Sequence, residues 1–377
     1  MSTHALKVAT GLAHGPEATP ELATQAVQAA LEKAGLTAAQ CVVLYLTSEF
    51  AHAPQAAIRA ASKAANCTQI IGCSALGIFT EEDWILDGAA AAALVLSADI
   101  FSSHPLHLDT SQQLLTLAAP SAINASWLSS PQARFGAISG DASGSGAFSV
   151  WQDGKGISQG YCALAIQHCE VAIAASHGLK WLSSARKVSA SQRFELQAVA
   201  GMPAYRSLLA AYHALDAPAQ DLPLHLLNVA YASSPQAFTQ GQYALASIII
   251  ANKDSNSLTL SQPIPEGHWI RWAMRDAETA QTDLDTTAQQ LAQTLTGAPA
   301  FACVFSCLAR GPYYYEGNDE DLRLLKTRFP HMPIIGFYGN GQIAPMMAQN
   351  TLLQHSLVLA LFGQAKDSPL GEIDEPV

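Results

Sequence analysis

The chain has 377 residues, of which 49% are apolar and 13% are charged, and its net charge is −11. This length exceeds one ordinary core, so we expect two domains or two lobes. An acidic surface repels nucleic acid and anionic lipid, which excludes both as expected partners. The seven cysteines are an odd number in a long chain, which argues against a disulfide framework.

The N-terminal stretch lacks the apolar core of a secretory signal. The longest apolar run, 89–96, is far shorter than the ~20 residues that cross a bilayer. We therefore expect a cytoplasmic protein with no membrane partner.

The first hundred residues alternate between strand and helix patterns. A helix begins at Pro20 and ends at Gly35, and a second begins at Pro54 and ends near Asn66. A further strand starts at Ile70 and runs into a glycine-rich loop. The other predicted strands here are 8–12, 42–46 and 88–97.

The rest of the chain is richer in hairpins. Asp153-Gly154 is a strong hairpin signal between two apolar runs, and a Pro- and Ala-rich stretch at 216–223 is typical of a linker or a surface loop. We therefore predict two domains, 1–215 and 216–377. The predicted helices are 203–215, 276–296 and 318–329, and the predicted strands are 135–139, 148–151, 157–166, 243–251, 257–261, 268–274, 301–306, 333–336 and 352–362.

Two glycine turns lie in matching surroundings. Each follows a buried strand, a helix and a short strand. The central valine of the Leu-Val-Leu triplet in the next apolar strand comes 23 positions after Gly72, at Val95, and 22 positions after Gly336, at Val358. A weaker third echo lies at 135–140 with 160–166. We predict an α/β (α+β) fold of two pseudo-repeated lobes, with mixed or antiparallel sheets covered by helices. A four-layer αββα arrangement is the first expectation, with a ligand cleft where the two glycine turns meet.

Three motifs resemble a known family. The stretch IGCSALG (71–77) with the following DGA (87–89) resembles the N-terminal FIST domain. The stretches FSCLARG (305–311) and PIIGFYGNGQIAP (333–345) resemble the C-terminal FIST domain. The resemblance implies an intracellular sensory module that binds a small polar metabolite, amino acid-like compounds among them, and acts on a separate signalling protein. It implies no cofactor, and it departs from the family at Gln342, where Glu is usual.

We expect ligand contacts at the two glycine turns and beside them. Glycine allows a ligand to approach backbone N–H groups, and the Tyr338 hydroxyl needs a polar partner that a cleft would supply. Arg310 is suited either to an acidic ligand or to a salt bridge with Glu316 or Asp319. The expected ligand-binding residues are Gly72, Cys73, Ser74, Cys307, Arg310, Gly336, Phe337, Tyr338, Gly339 and Gln342.

Neither a metal site nor a catalytic set is predicted. Cys303 and Cys307 are four residues apart on a strand, so their Cα atoms lie about 13 Å apart, too far to chelate one ion. Three functions stay open: a non-catalytic sensor, a thiol-dependent hydrolase or acyltransferase that uses Cys73, and a ligand-free scaffold. The thiol reading depends on the reactivity of Cys73, and the scaffold reading predicts that metabolites leave partner binding unchanged.

Overall fold

A computed structural model describes residues 6–102, 112–123, 125–140, 147–215, 222–346 and 349–365. The strands in this part of the chain are β1 Val8–Gly15, β2 Cys41–Thr47, β3 Ile70–Ala75, β4 Gly77–Thr80, β5 Trp84–Ile85, β6 Ala89–Leu96, β7 Phe101–Ser102, β8 Leu114–Ala118, β9 Arg134–Ile138, β10 Val150–Gln152, β11 Lys155–Gly156, β12 Tyr161–Ile166, β13 Cys169–Ser176, β14 Leu179–Trp181, β15 Arg186–Gln192, β16 Glu195–Val199, β17 Met202–Pro203, β18 Leu227–Ala232, β19 Ala244–Asn252, β20 Ser257–Leu260, β21 Trp269–Arg275, β22 Phe301–Cys307, β23 Ile334–Gly339, β24 Gln342–Met346, β25 Gln349–Leu353 and β26 Leu357–Ala365.

The helices begin and end with recognisable signals. Pro20 opens the first, and Gly35 in the left-handed region closes it. None of the described helices is long and apolar enough to span a membrane. The α-helices are α1 Pro20–Ala34, α2 Gln55–Ala65, α3 Ala125–Leu128, α4 Ala204–His213, α5 Pro235–Thr239, α6 Ala277–Thr294 and α7 Glu320–Arg328; short 3₁₀ turns span 48–50, 120–122, 308–310 and 312–315.

Three six-stranded sheets share one topology. Wall 1 has the order β1-β6-β2-β3-β10-β11, wall 2 the order β7-β12-β8-β9-β24-β25, and wall 3 the order β13-β26-β22-β23-β4-β5. In each wall two parallel strands stand at the centre, with antiparallel strands on either side. The two outer strands at one end always come from another repeat: β4–β5 complete wall 3, β24–β25 complete wall 2, and β10–β11 complete wall 1. The repeats therefore interlock in a cycle.

The inner faces of the three walls share one apolar core. Tyr45 of wall 1 packs against Phe337 of wall 3 with ring centroids 4.9 Å apart, and Phe135 of wall 2 packs against Phe305 of wall 3 at 6.4 Å. Neighbouring residues point outward, as strand alternation requires: Leu44 packs on the side of α1 and α2. Helices α6 and α7 cover wall 3 in the same way.

The predicted mixed α+β class is confirmed. The four-layer arrangement describes walls 1 and 3 with their outer helices, and wall 2 is an additional sheet. The expectation of two lobes missed this third repeat, which is the weak echo at 135–140 with 160–166, now β9 and β12. The echo is weak in the sequence because the only described α-helix between its parallel strands is the four-residue α3.

Between β13 and α6 the chain forms a separate small barrel. Strands β21, β15, β16, β20, β19 and β18 follow one another, and β18 pairs again with β21, which closes the ring; β14 adds to β21. Helix α4 packs on its core, where Trp272 Nε1 donates to Ser207 Oγ at 3.0 Å. The predicted domain boundary at 215/216 lies between α4 and β18, inside the span of this barrel.

The second parallel strand of every wall has a glycine at an equivalent position. Gly72, Gly136 and Gly336 each stand opposite a residue of the first parallel strand, and an added Cβ would lie 1.8, 2.0 and 2.3 Å from that residue's carbonyl oxygen. Such distances are far inside van der Waals contact. In this structure these glycines serve the close approach of two parallel strands.

Replacing Gly136 by alanine tests this packing role. We expect Gly136→Ala to lower the free energy of unfolding by about 2–4 kcal/mol, because the methyl group meets the Thr116 carbonyl in a core that cannot expand. Gly88→Ala is the matched control: its φ of +135° resembles the +140° of Gly136, but nothing lies within 4 Å of the added Cβ. Urea unfolding of both variants measures the difference, and equal losses would contradict the close-approach argument.

Candidate ligand-binding site

The structure places the ten predicted ligand contacts inside the walls. All of them are buried. Gly72, Cys73 and Ser74 lie in β3; Gly336, Phe337, Tyr338 and Gly339 lie in β23; Gln342 begins β24; Cys307 ends β22; and Arg310 is in the 3₁₀ turn that follows. Strands β3 and β23 come near each other through the shared core, but packed side chains fill the space there.

The surroundings of Cys73 disfavour a nucleophilic thiolate. Its side chain is fully buried between Tyr45 and Val150 of the neighbouring strands. Burial, and then the nearby Cys162, raise the pKa of Cys73 well above its ordinary value. A catalytic thiolate needs a lowered pKa and access to its substrate, and none of the described residues around Cys73 lowers its pKa.

The aromatic pair of the second glycine turn is divided as strand alternation predicts. Phe337 points into the shared core, and Tyr338 points outward under α7. The Tyr338 hydroxyl donates to Asp319 Oδ2, so its polar partner is a protein carboxylate and not a cleft. Burial, and then Asp321, raise the pKa of Asp319 to about 6.

Arg310 is buried and donates hydrogen bonds to three separate segments of the chain. Its Nε donates to Asp321 Oδ2 at 2.8 Å, its Nη1 to the Ser176 carbonyl at 2.7 Å, and its Nη2 to the Ala280 carbonyl at 3.1 Å. The side chain is 1% exposed. Burial lowers the pKa of Arg310, but Asp321, Tyr315 and Asp283 together raise it above its ordinary value. Of the two roles predicted for Arg310, the salt bridge is the one observed, and its partner is Asp321 in place of Glu316 or Asp319.

Gln342 keeps an unsatisfied amide in the core. It is fully buried, and among the described residues neither its Oε1 nor its Nε2 has a hydrogen-bond partner. Its neighbours along the inner face of β24 are the apolar Ala344 and Met346. An unpaired buried amide is costly, and we find no group in the described structure that offsets it.

A cavity of about 630 Å³ lies elsewhere, at the junction of the small barrel with wall 3. It is lined by the C-terminal half of β13, the polar side of α6, the barrel segment 238–243 with Trp181, and Pro345 and Met346 of β24 in wall 2. None of the ten predicted residues lines it. This volume is in the range of sites for small ligands.

His177 stands where β13 leaves wall 3 for the barrel. It is 5% exposed, and its Nδ1 lies 2.8 Å from Ser356 Oγ. Ser356 donates its own proton to the Gln354 carbonyl, so its oxygen accepts from His177 Nδ1–H. Nε2 then carries the free lone pair, and it has no partner among the described residues. Burial lowers the pKa of His177 to about 4, opposed by Asp283 and assisted by Arg310, so the ring is neutral at pH 7.

Asp283 of α6 fixes the turn that follows β13. Its Oδ2 accepts from the Ser176 hydroxyl at 2.7 Å and from the backbone N–H groups of His177 and Gly178 at 2.9 and 3.2 Å. Its Oδ1 accepts no hydrogen bond from any described residue. The turn needs glycine at 178, where φ is +63° and an added Cβ would lie 2.5 Å from Ala280 Cβ.

Aromatic rings form the barrel side of the cavity. Tyr243 packs against His177 with ring centroids 4.8 Å apart, against Trp181 at 5.3 Å and against Phe238 at 5.8 Å. The guanidinium of Arg271 lies 4.0 Å from the ring centroid of Trp181. The aromatic side of the cavity therefore includes a ring, Trp181, whose face already contacts a guanidinium.

The lining residues include no Lys or Arg, and Asp283 is their only carboxylate. The cavity lining thus combines one carboxylate, a histidine whose unpaired Nε2 is buried, and an aromatic wall. Among the described residues, no group of three or more His, Cys, Asp or Glu side chains is arranged to hold a metal ion. This chemistry suits a small polar or cationic organic molecule.

The residues that line this cavity were not among the ten predicted ligand contacts. The sequence pattern does hold one signal: His177-Gly178 follows an apolar strand, as a ligand-contacting turn often does. Asp283 lies on the polar side of α6, where the pattern predicts a solvent-exposed carboxylate. Nothing in the order of the chain brings His177, Tyr243 and Asp283 together.

Thiol labelling tests the reading of Cys73. All seven cysteines are free, and Cys67 and Cys169 are partly exposed. We expect iodoacetamide at pH 7.5 to modify Cys67 at least about tenfold faster than Cys73, because burial keeps Cys73 protonated and out of reach. Peptide mass spectrometry measures the rates, with guanidinium-unfolded protein as the control for intrinsic reactivity. Faster labelling of Cys73 would restore the hydrolase or acyltransferase reading.

Removing the charge of Arg310 tests whether its buried ion pair with Asp321 stabilises the fold. Arg310→Met should lower the free energy of unfolding by about 3–5 kcal/mol, because it leaves Asp321 buried without its cation. Arg328→Met is the matched control, since its partner Asp285 is 42% exposed, and we expect a loss of about 1 kcal/mol or less. Urea unfolding of both variants measures the contrast, and similar losses would show that Arg310 is not a buried anchor.

The comparisons with known proteins cover most of the chain. The FIST N domain family matches residues 40–201, and the FIST C domain family matches residues 202–345. The chain is also similar to Uncharacterized protein Mb0898c of Mycobacterium bovis and to Uncharacterized protein MT0897 of Mycobacterium tuberculosis, each 28% identical over 123 residues. Uncharacterized protein MT0656 of Mycobacterium tuberculosis is 25% identical over 123 residues.

Each of these alignments spans 33% of this chain and 32% of the relative, so the match covers about a third of the length of the curated proteins. The family matches carry the assignment, because together they run from residue 40 to residue 345. They confirm the resemblance inferred from the three sequence motifs. The chain belongs to the FIST domain family, whose domains are associated with sensory and signal-transduction proteins.

Proposed function

We propose that this protein is a non-catalytic sensor that binds a small metabolite in the cavity between the barrel and wall 3. The observation that carries the proposal is His177, a nine-tenths buried, neutral histidine that lines the cavity and has an unpaired Nε2. A buried polar atom without a partner is costly, and a ligand that donates to it recovers that cost.

The position of the cavity suits a signalling role. Segment 238–243 belongs to the barrel, whereas β13 and α6 belong to wall 3, so a ligand between them contacts both bodies. Binding at such a junction favours one relative placement of the two bodies over others. A separate signalling protein that contacts both bodies would read this change, and we propose such a protein as the partner.

A cavity-filling variant tests the proposal. The wild-type protein should retain at least one compound from a bacterial metabolite extract in equilibrium dialysis followed by mass spectrometry. Thr287→Trp should reduce that retention by about tenfold or more, because the indole occupies space that Thr287 leaves open at the cavity wall. Thr282→Trp is the control, on the same helix but outside the cavity lining.

The two other functions are alternative outcomes of this experiment. If wild-type protein retains no compound, the ligand-free scaffold replaces the sensor. If the retained compound is bound equally by Thr287→Trp, the ligand occupies another site. If the compound is converted during dialysis, the protein is an enzyme and the non-catalytic part of the proposal fails.

A further inference from the structure

We propose that the ligand of this cavity carries an ammonium group, held by Asp283 and His177 against the rings of Tyr243, Trp181 and Phe238. The inference rests on the proposed function, because it names the chemical class of the molecule that binds at the same site. It concerns an organic amine with at least one N–H donor and not a metal ion or an anion.

The charge of the lining supports a cation. Asp283 is the only charged side chain among the described lining residues, and its Oδ1 is not used by the protein. A carboxylate or phosphate in this space would meet Asp283 with no Lys or Arg among the lining residues to offset the repulsion. The charges of Arg310 and Arg271 also act on Tyr243, but Arg310 is paired with Asp321 and Arg271 is stacked on Trp181. An ammonium would instead form a charge-assisted hydrogen bond with Asp283.

The hydrogen-bond roles select a donor. The bond from Ser356 to Gln354 fixes the His177 tautomer, so Nε2 is an acceptor at neutral pH. Asp283 Oδ1 is also an acceptor. A primary or secondary ammonium presents two or three N–H groups and satisfies both atoms, whereas an ether or ketone satisfies neither.

The aromatic wall supplies the remaining contact. Rings attract cations through their faces, and Trp181 already has the guanidinium of Arg271 at 4.0 Å. Tyr243 packs against both His177 and Trp181, so it separates the imidazole from the rest of the aromatic wall. Because Nε2 is buried, a donor reaches it only after a neighbouring side chain moves.

A charge series on one carbon skeleton tests the proposal. The probes are 2-phenylethylamine, the neutral 2-phenylethanol and the anionic 3-phenylpropanoate, titrated into the full chain by ligand-observed NMR. We expect the amine to bind about tenfold or more tighter than the alcohol, and the anion to bind more weakly than either. Equal binding of amine and alcohol, preference for the anion, or no binding of the amine would each overturn the ammonium proposal.

Two substitutions assign the binding to these residues. Asp283→Asn should weaken amine binding roughly 10–100-fold and leave alcohol binding nearly unchanged. Asp285→Asn removes the same charge from the same helix outside the cavity lining and should leave amine binding within about twofold. Should Asp283→Asn fail to fold, Tyr243→Leu serves as the second variant, with an expected loss of about threefold or more for the amine alone. Equal effects of the Asp283 and Asp285 variants would overturn the assignment.

Different results would disprove the sensor function and the ammonium ligand. If metabolite retention depends on Thr287 but the retained compound is neutral or anionic, the ammonium inference is wrong and the sensor function stands. If no metabolite is retained and no amine probe binds, both are wrong.

Discussion

The architecture depends on unpaired backbone groups at the edge of three strands. In each wall the second parallel strand, β3, β9 or β23, would present a free row of N–H and C=O groups if its own repeat were the whole sheet. A hairpin from another repeat pairs with that edge in every case. Because buried backbone groups must be paired, no repeat is complete alone, and the three segments are held together as one cycle. The recurring glycine of each strand, at 72, 136 and 336, allows the central parallel pair to approach closely enough for this packing.

The third repeat differs from the others by its insertion, and the cavity proposed as the site lies where this insertion meets wall 3. The chain leaves wall 3 at Ser176, builds the small barrel and returns at Asp276 to begin α6. Arg310 binds both ends of this excursion, at the carbonyls of Ser176 and Ala280, and Asp283 holds the N–H groups of the departing turn. These bonds fix the junction where the cavity forms, so a residue first considered as a ligand anchor supports the site from beneath it.

The walls and the junction differ in how their polar groups are satisfied. Inside the walls most positions are apolar, and the exposed charge of the protein lies outside them. At the junction, charged and polar side chains are buried in a connected set around Arg310, His177 and Asp283, with one imidazole nitrogen left unpaired among the described residues. Such groups are retained at a stability cost, and at the junction they adjoin a cavity, unlike the unpaired Gln342 amide in the walls; the proposed site is placed there for this reason.

The sequence by itself determined the local elements, the mixed α+β class, the FIST resemblance and the echo between Gly72 and Gly336, because hydrophobic periodicity, proline, glycine and turn motifs act over a few residues. It also offered a salt bridge for Arg310, whereas Phe337, one of the expected ligand contacts, is a core residue in the structure. Only the tertiary structure decided that Cys73 and Tyr338 are sealed in packing, that the third echo is a complete wall, and that hairpins are exchanged between repeats. The same holds for the site: His177, Tyr243 and Asp283 are far apart in the chain and meet because a barrel inserted after β13 folds back onto α6, a contact that no local pattern encodes.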